Sequence, residues 1–313
     1  MVKEKRVCLR VRDIEFIGFL GEYGSITNEN VKLFYQSEYY YKNRLASLAK
    51  GEIIERLYGK VVLGRKGKSY LNERGLGYRN INRDETYKKR MERISDVSCK
   101  VHLSGWFFEP SWRCNINAFT QRGNRFIGVM SREKRLWQES DEDYYKRSYI
   151  VYFLHREITP RELKYIDKEL DRNKNNFRGV IIFIEDEWLL NHPKFTKISY
   201  CENYTILYQK EIWDIFKNIS DTDYMKNRII DIFGENIDRV KGYMYEIYCI
   251  KDEDSYTYIF PMPFADFSTM DWINYMVDSG IHGNIKWIVV CNEICIEEAR
   301  RFLKDKVEVI CLI

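Results

Sequence analysis

Two groups of polar side chains in the first third of the chain have the chemistry needed to contact nucleic acid. The first group lies close together in sequence and consists of Lys42, Asn43, Arg44 and Ser47. The second lies in a basic stretch with two glycines and consists of Arg65, Lys66 and Lys68. These residue types supply the hydrogen-bond donors that proteins use against phosphates and base edges. The sequence therefore predicts a DNA contact surface made of both groups.

The surrounding pattern predicts the elements that position these groups. Apolar residues recur at helical spacing from position 11 and end at Gly24, and a short second helix follows with Thr27 or Asn28 as its N-cap. A third helix is predicted over residues 37–50, followed by two short strands around the basic glycine loop of residues 64–68. Three helices and then a hairpin are the order of a winged helix-turn-helix, whose third helix commonly enters the major groove.

In this interpretation the helix over residues 37–50 reads bases, and the loop over residues 64–68 is a wing that holds phosphate. A second interpretation stays open at this point. Tyr39, Tyr40 and Tyr41 would then belong to the core, and the basic loop would be a solvated hairpin tip.

Length and composition favour a folded protein of two or three domains. The chain has 313 residues, of which 45% are hydrophobic and 31% charged, with only 5 prolines, so wholesale disorder is excluded. No apolar run approaches the roughly 20 residues of a membrane-spanning helix, and the start leads into no signal-peptide pattern. We therefore expect a cytoplasmic protein that does not bind membranes. The 8 cysteines are scattered, and we expect them to be reduced core thiols.

The charge is distributed unevenly along the chain. Residues 1–100 hold 22 Lys and Arg against 13 Asp and Glu, whereas residues 201–313 hold 12 against 20. A basic first third suits a polyanionic partner, and an acidic last third suits a protein partner or self-association. Ordinary solvated faces are the alternative explanation.

The predicted organisation is an α+β protein with four segments. Residues 1–83 form the winged-helix DNA-binding domain, and residues 84–103 form a charged linker helix. Residues 104–203 form a small α/β domain, because two strands, a helix and a third strand follow one another there. Residues 204–313 form an acidic α/β domain for oligomerisation or partner binding.

A family resemblance extends over residues 11–200. It rests on Arg12-Asp13, Tyr23-Gly24, Ser25-Ile26-Thr27, Asn43-Arg44-Leu45, Leu48, Gly51, Tyr58-Gly59 and Ser69-Tyr70-Leu71-Asn72-Glu73-Arg74-Gly75. This pattern resembles the replication-relaxation family of Gram-positive plasmid and mobile-element proteins. The resemblance implies a plasmid replication protein that recognises origin repeats, with a degenerate restriction-endonuclease-like core in its middle part.

Such a core raises the question of catalysis. A magnesium-dependent nuclease needs a carboxylate near one strand and a Glu-x-Lys on the next, and the strands predicted near residues 126–130 and 148–154 contain no acid. Glu109, Glu185 and Asp186 remain as unpaired candidates. Tyr144 and Tyr145 are available as nucleophiles for a nickase only in the sense that the chain has 24 tyrosines. Four scattered histidines and scattered cysteines predict no metal site and no cofactor.

We therefore expect a non-enzymatic, sequence-specific double-stranded DNA-binding protein of a plasmid or mobile element, acting in origin recognition and initiation. Its expected partners are duplex DNA, further copies of the same chain and host replication proteins. A winged-helix transcriptional regulator with a dimerising or sensory rear part is the alternative. A metal-dependent nickase or nuclease is the third hypothesis.

Overall fold

The computed structural model describes residues 7–35, 38–80, 84–115, 125–156, 158–173, 175–189, 202–209, 211–220, 223–240, 247–264, 266–280 and 284–312. The chain divides into two compact units, Met1–His102 and Leu103–Ile313. The described residues are 47% helical and 26% strand, with several sheets, so the expected α+β class is confirmed at this level. Within the described residues, no helix is long and apolar enough to cross a membrane.

The first unit alternates short helices with a small antiparallel sheet. Its elements are α1 (Val11–Tyr23), β1 (Ser25–Thr27), α2 (Asn28–Val31), a 3-10 turn (Lys32–Phe34), α3 (Glu38–Lys50), β2 (Ile54–Leu57), β3 (Lys60–Leu63), α4 (Arg65–Glu73) and α5 (Glu85–Val101). The strand order is β1-β3-β2, with Ser25 opposite Val62 and Ile54 opposite Leu63. Helix α3 therefore leads directly into the β2–β3 hairpin.

The core of the first unit explains why these segments fold as they do. Phe16, Ile17 and Leu20 form the fully buried face of α1, and Leu45 and Leu48 form that of α3. Helix α1 ends at Gly24, whose backbone N–H donates to the Leu20 carbonyl at 2.9 Å. The φ angle of Gly24 is 81°, a value that favours glycine. The helical spacing read from the sequence thus matches the buried faces of both helices.

Helix α5 is an integral part of the first unit, which corrects its expected role as a linker over residues 84–103. Its Ser95 hydroxyl donates to the backbone carbonyl of Ser25 at 2.7 Å, and its Ser98 hydroxyl donates to the Tyr23 hydroxyl at 2.8 Å. The apolar side of α5 is buried, including Ile94. The charged residues of this helix made it resemble a solvated connector, whereas small serines allow it to approach β1 closely.

The hairpin and the basic glycine stretch also differ from the prediction. The two strands are joined through Tyr58 and Gly59, and residues 65–73 form helix α4 rather than a loop between strands. Position 67 of this helix requires a glycine, because a Cβ atom there would lie 2.2 Å from the Ile53 carbonyl oxygen. The glycine therefore serves close packing of α4 against the segment before β2.

The second unit contains two five-stranded sheets. The first consists of β4 (Phe107–Pro110), β5 (Phe126–Ser131), β6 (Tyr149–Leu154), β7 (Gly179–Ile184) and β8 (Glu202–Leu207), paired in chain order. Strand β5 runs antiparallel to its neighbours, and β6, β7 and β8 are parallel. Helix α6 (Asp141–Lys146) lies between β5 and β6, and α7 (Pro160–Asn173) connects β6 to β7. All residues of β5, β6 and β7 are buried.

The second sheet repeats this topology. Helices α8 (Ile212–Ser220) and α9 (Tyr224–Phe233) precede β9 (Asp238–Val240), β10 (Ile247–Lys251), β11 (Tyr256–Met262), α10 (Phe267–Ser279), β12 (Ile285–Asn292), α11 (Glu293–Phe302) and β13 (Val307–Leu312). The strands again pair in chain order, the second runs antiparallel, and the last three are parallel. Helix α10 connects the third strand to the fourth, as α7 does in the first sheet.

The domain boundary predicted between residues 203 and 204 falls inside β8. This strand completes the first sheet, because it pairs in parallel with β7 along its whole length. Aromatic packing continues from this sheet toward the second, since the Phe264 ring lies 5.5 Å from that of Tyr204 and 4.6 Å from that of Phe216.

Candidate nucleic-acid interface

The solvent-facing side of α3 carries an exposed set of polar and aromatic residues. Its exposed residues are Tyr39, Lys42, Asn43, Ala46 and Lys50. They recur every three or four positions and therefore share one helix face, opposite the buried leucines of the same helix. Tyr39 is 81% exposed. This surface, the α3 face, can present a ring, an amide, a methyl group and two ammonium groups to a ligand.

Arg44 does not belong to the α3 face, which corrects the expectation that it reads bases together with Asn43. Its guanidinium points into the unit and holds the carboxylate of Asp13 on α1 through two bonds, Nε to Oδ1 at 2.9 Å and Nη2 to Oδ2 at 2.5 Å. A further bond joins Nη2 to the Cys8 carbonyl at 2.6 Å. The Arg44 side chain is 11% exposed and the Asp13 side chain 0%. Arg44 is therefore a half-buried structural cation.

Asp13 is the centre of this internal network. Its Oδ1 also accepts from the Tyr35 hydroxyl at 3.0 Å, and its Oδ2 accepts from the Arg10 backbone N–H at 2.7 Å. Burial alone raises the pKa of Asp13, but the hydrogen bonds from Arg44, Arg10 and Tyr35 outweigh burial and lower it below its ordinary value. Burial, followed by the nearby Asp13 charge, raises the pKa of Tyr35. The carboxylate therefore fixes α1 to α3.

The remaining residues of the first predicted group divide between surface and interior. Lys42 and Asn43 are exposed, whereas Ser47 is half-buried at the side of the α3 face. Tyr40 and Tyr41 are half-buried and pack against the core of the first unit. The core interpretation of the tyrosines therefore fits these two and not Tyr39. Ser37, the start of the predicted helix 37–50, lies outside the described residues.

The second predicted group lies on α4 and not on a wing loop. Arg65 is exposed and donates twice to Glu52 Oε2, at 3.0 and 2.6 Å. Lys66 and Lys68 are half-buried, and the Lys68 Nζ lies 5.8 Å from the centre of the Tyr78 ring. These three cations remain near the hairpin in sequence, but a helix carries them.

The true tip of the hairpin consists of residues that the sequence interpretation did not select. Arg56 is exposed, Leu57 is half-exposed and Tyr58 is fully exposed, next to Gly59 with φ 78°. A glycine between two short strands was the available signal, because a tight turn needs a positive φ. The sequence does indicate a turn at Gly59 and Lys60, but the wing was predicted at the basic glycine stretch that follows.

The acids considered for catalysis are separated in the second unit. Glu109 on β4 is in register with Val129, Ile150 and Val180 on the neighbouring strands of the sheet. Glu185 directly follows β7 and stands five residues after Val180, which corresponds to about 16 Å along the strand direction. The two carboxylates are therefore at opposite ends of the sheet. Asp186 is 3.3 Å from the guanidinium of Arg156.

Within the described part of the chain, no cluster of side chains has the composition of a metal site. Groups of three or more His, Cys, Asp or Glu side chains that could hold an ion are absent there. Tyr144 and Tyr145 are buried, and burial raises the pKa of both hydroxyls, which makes them poor nucleophiles. Cys8 is exposed, so the prediction of core thiols is wrong for that residue.

The comparisons with known proteins add no relative. No family model matches the chain, and neither a curated protein nor a solved structure matches it. The geometry of the first unit is therefore the basis for assigning a function.

Proposed function

We propose that the first unit is a winged helix-turn-helix module that binds double-stranded DNA. The observation that carries this proposal is the order α1-β1-α2-α3-β2-β3, with the sheet order β1-β3-β2 and an exposed polar face on the third of these helices. In winged modules this helix enters the major groove, and the hairpin that follows contacts the backbone or the minor groove. The proposed base-reading residues are Lys42 and Asn43, with Tyr39 added and Arg44 removed.

The composition of the α3 face supports a preference for A·T pairs. Asparagine binds adenine through two hydrogen bonds at N6 and N7, and an alanine methyl group packs against the methyl group of thymine. Asn43 and Ala46 are both exposed and lie one helical turn apart. Arginine is the commonest partner of guanine, and the Arg44 guanidinium is held by Asp13. A·T pairs at the centre of the site are therefore expected.

The biological role follows from the resemblance described above. A replication protein of a plasmid or mobile element would use the module to recognise repeats at its origin, as a homo-oligomer and without catalysis. The five-strand order of the second unit, with an antiparallel second strand, supports a restriction-endonuclease-like ancestry. The separation of Glu109 from Glu185 makes a nuclease the weaker hypothesis, and a transcriptional regulator is the remaining alternative.

The test measures the affinity of the full-length protein for labelled duplexes that tile its own replicon, by fluorescence anisotropy. Asn43→Ala is expected to lose about 1–3 kcal/mol on the best site and to relax its sequence preference. Asn218→Ala is the matched control, because Asn218 is an exposed asparagine on a helix of the second unit. Equal affinity for every duplex, unchanged by Asn43→Ala, would refute the proposal.

Footprinting then separates the two roles. Protection of repeats at the replication origin supports initiation, whereas protection over a promoter supports transcriptional regulation. Absence of nicking of supercoiled DNA with Mg²⁺ or Mn²⁺ is the expected result for a non-enzymatic protein. Nicking that is lost on replacing Glu185 would revive the nuclease hypothesis.

A further inference from the structure

The outer side of α7 in the second unit carries a row of cations around a tyrosine. This row, the α7 stripe, consists of Arg161, Lys164, Tyr165, Lys168 and Arg172, all of them exposed. At 3.6 residues per turn, these positions fall within about 100° of arc and extend about 16 Å along the helix. The four positive charges therefore form a narrow line.

The negative charges of the same helix do not neutralise this line. Glu162 is paired with Arg125, and Glu169 is buried and accepts a hydrogen bond from the Tyr152 hydroxyl at 3.1 Å. Asp167 and Asp171 are exposed, but they lie beside one edge of the stripe. Among the described residues, neither Lys164, Lys168 nor Arg172 forms an ion pair. The outer face of α7 thus remains positive although the helix holds as many acids as bases.

Tyr165 is held inside the positive line. The Arg161 Nε and Nη2 atoms donate to its hydroxyl at 3.3 and 3.2 Å, and the guanidinium lies 5.7 Å from the ring centre. The hydrogen bond from Arg161, with the charges of Arg161, Lys168 and Lys164, lowers the pKa of Tyr165. The ring is 52% exposed. It therefore offers an open aromatic surface surrounded by cations.

The second sheet supplies an internal comparison. Helix α10 occupies the equivalent position, between the third and fourth strands, and it also exposes a tyrosine, Tyr275, which is 67% exposed. Around this tyrosine the charged residues are Asp271 and Asp278, and α10 contains no lysine or arginine. The crossover position therefore does not itself require cations. Of these two crossover helices, only α7 carries such a stripe.

We propose that the α7 stripe binds the sugar–phosphate backbone of a nucleic acid. Lysines and arginines spaced four apart on a helix repel one another, and a polyanion that lies along the line would relieve this repulsion. Each strand of a duplex presents one negative charge about every 3.4 Å of helix axis, so about five phosphates of a strand would lie along the length of the stripe. Tyr165 can stack on an unpaired base beside that backbone. This inference goes beyond the proposed function, because the first unit does not need it to read a duplex.

The experiment uses the full-length protein with a 30-nucleotide single strand of mixed sequence and with its duplex. The variant is Lys164→Ala/Lys168→Ala/Arg172→Ala. The matched control is Lys134→Ala/Lys226→Ala/Lys306→Ala, which removes the same charge from exposed lysines scattered over the second unit. Losing three phosphate contacts should lower the ratio of Kd at 200 mM to Kd at 50 mM salt by about 20-fold for the single strand and about 40-fold for the duplex. The control should leave both ratios near wild type.

Two further variants identify the contacts. Lys164→Arg/Lys168→Arg/Arg172→Lys keeps the charges and should restore the wild-type ratio, with circular dichroism showing that each variant is folded. Tyr165→Ser should weaken binding of the single strand and leave the duplex unchanged, and Tyr165→Phe should bind both as wild type does. A salt dependence equal to wild type in the alanine variant overturns the proposal, as does an equal loss in the scattered control.

The outcomes also separate this proposal from the proposed function. Intact sequence-specific duplex binding that is lost in Asn43→Ala, together with an unaffected alanine variant of α7, would refute the stripe alone. A reduced salt dependence in the alanine variant of α7, together with equal affinity of the wild-type protein for every duplex, would refute only the proposed sequence recognition by the first unit. If the α7 variant changes only the state of self-association, measured by light scattering, the stripe binds a second copy of the chain and the proposal is wrong.

Discussion

Replacing Arg44 with alanine is expected to destabilise the first unit rather than to remove a DNA contact. The carboxylate of Asp13 would lose two of its four hydrogen bonds and its counter-charge while staying buried. Two hydrogen bonds to a charged group contribute about 3–6 kcal/mol, and breaking a buried ion pair costs about 3–5 kcal/mol. We therefore expect a loss of about 3–5 kcal/mol in the free energy of unfolding.

The chain offers a convenient assay for this loss. All seven tryptophans lie after residue 102, so tryptophan fluorescence reports the second unit, whereas far-ultraviolet circular dichroism reports both. In urea, Arg44→Ala should shift the dichroism transition of the first unit and leave the fluorescence transition in place. Asn43→Ala on the same helix should stay within about 0.5 kcal/mol of wild type, because it is an exposed surface substitution.

The pH dependence gives the reasoning a second test. The pKa of Asp13 is lowered from 3.8, so its contribution to stability is present above that value and is lost as the pH falls below it. Without the guanidinium, burial should raise the pKa of Asp13, and protonation should then relieve part of the damage. The difference between wild type and Arg44→Ala should therefore shrink as the pH falls toward 4. An unshifted dichroism transition together with lost DNA affinity would refute this assignment and restore Arg44 as a base reader.

The remaining predictions concern packing, the hairpin tip and a buried carboxylate. Gly67→Ala should destabilise the first unit by about 1–3 kcal/mol in urea, because its Cβ meets the Ile53 carbonyl at 2.2 Å. Arg56→Ala should weaken all duplexes alike and lower the salt slope by about one, whereas Lys89→Ala on α5 should not. Burial raises the pKa of Glu109 above 4.5, so this group makes folding less favourable as the pH rises from that value. Glu109→Gln should therefore gain stability relative to wild type with rising pH in the fluorescence transition.

Local patterns were sufficient to predict α1, α3 and the strands β6 and β7, because helical spacing and continuous apolar runs are encoded within each segment. The role of Arg44 was not predictable in this way. Its partner Asp13 is 31 positions earlier, and only the packing of α1 against α3 brings the two together. The same basic charge on the same helix could equally have faced a duplex.

The prediction of a wing loop over residues 64–68 was wrong for a related reason. A basic stretch with two glycines is typical of a loop, yet Gly67 is buried where α4 contacts the backbone of Ile53. The repeat in the second unit was also missed, because strand order depends on pairing between distant segments. Lys42 and Asn43 are exposed on the third helix, as their predicted DNA contact requires, and that contact stays a prediction. Tyr39 was not selected because the neighbouring tyrosines pack inward.

The twofold recurrence of one strand order in the second unit separates what this topology requires from what it leaves free. Both sheets have a helix that connects the third strand to the fourth, and both have buried apolar strands at the centre. Their crossover helices, α7 and α10, differ on the outside, where α7 carries a row of exposed cations and α10 carries two acids and no cation, while their central strands are apolar. One strand order therefore supports two outer surfaces of different charge, because the interior fixes the fold and leaves the outer side chains free to differ.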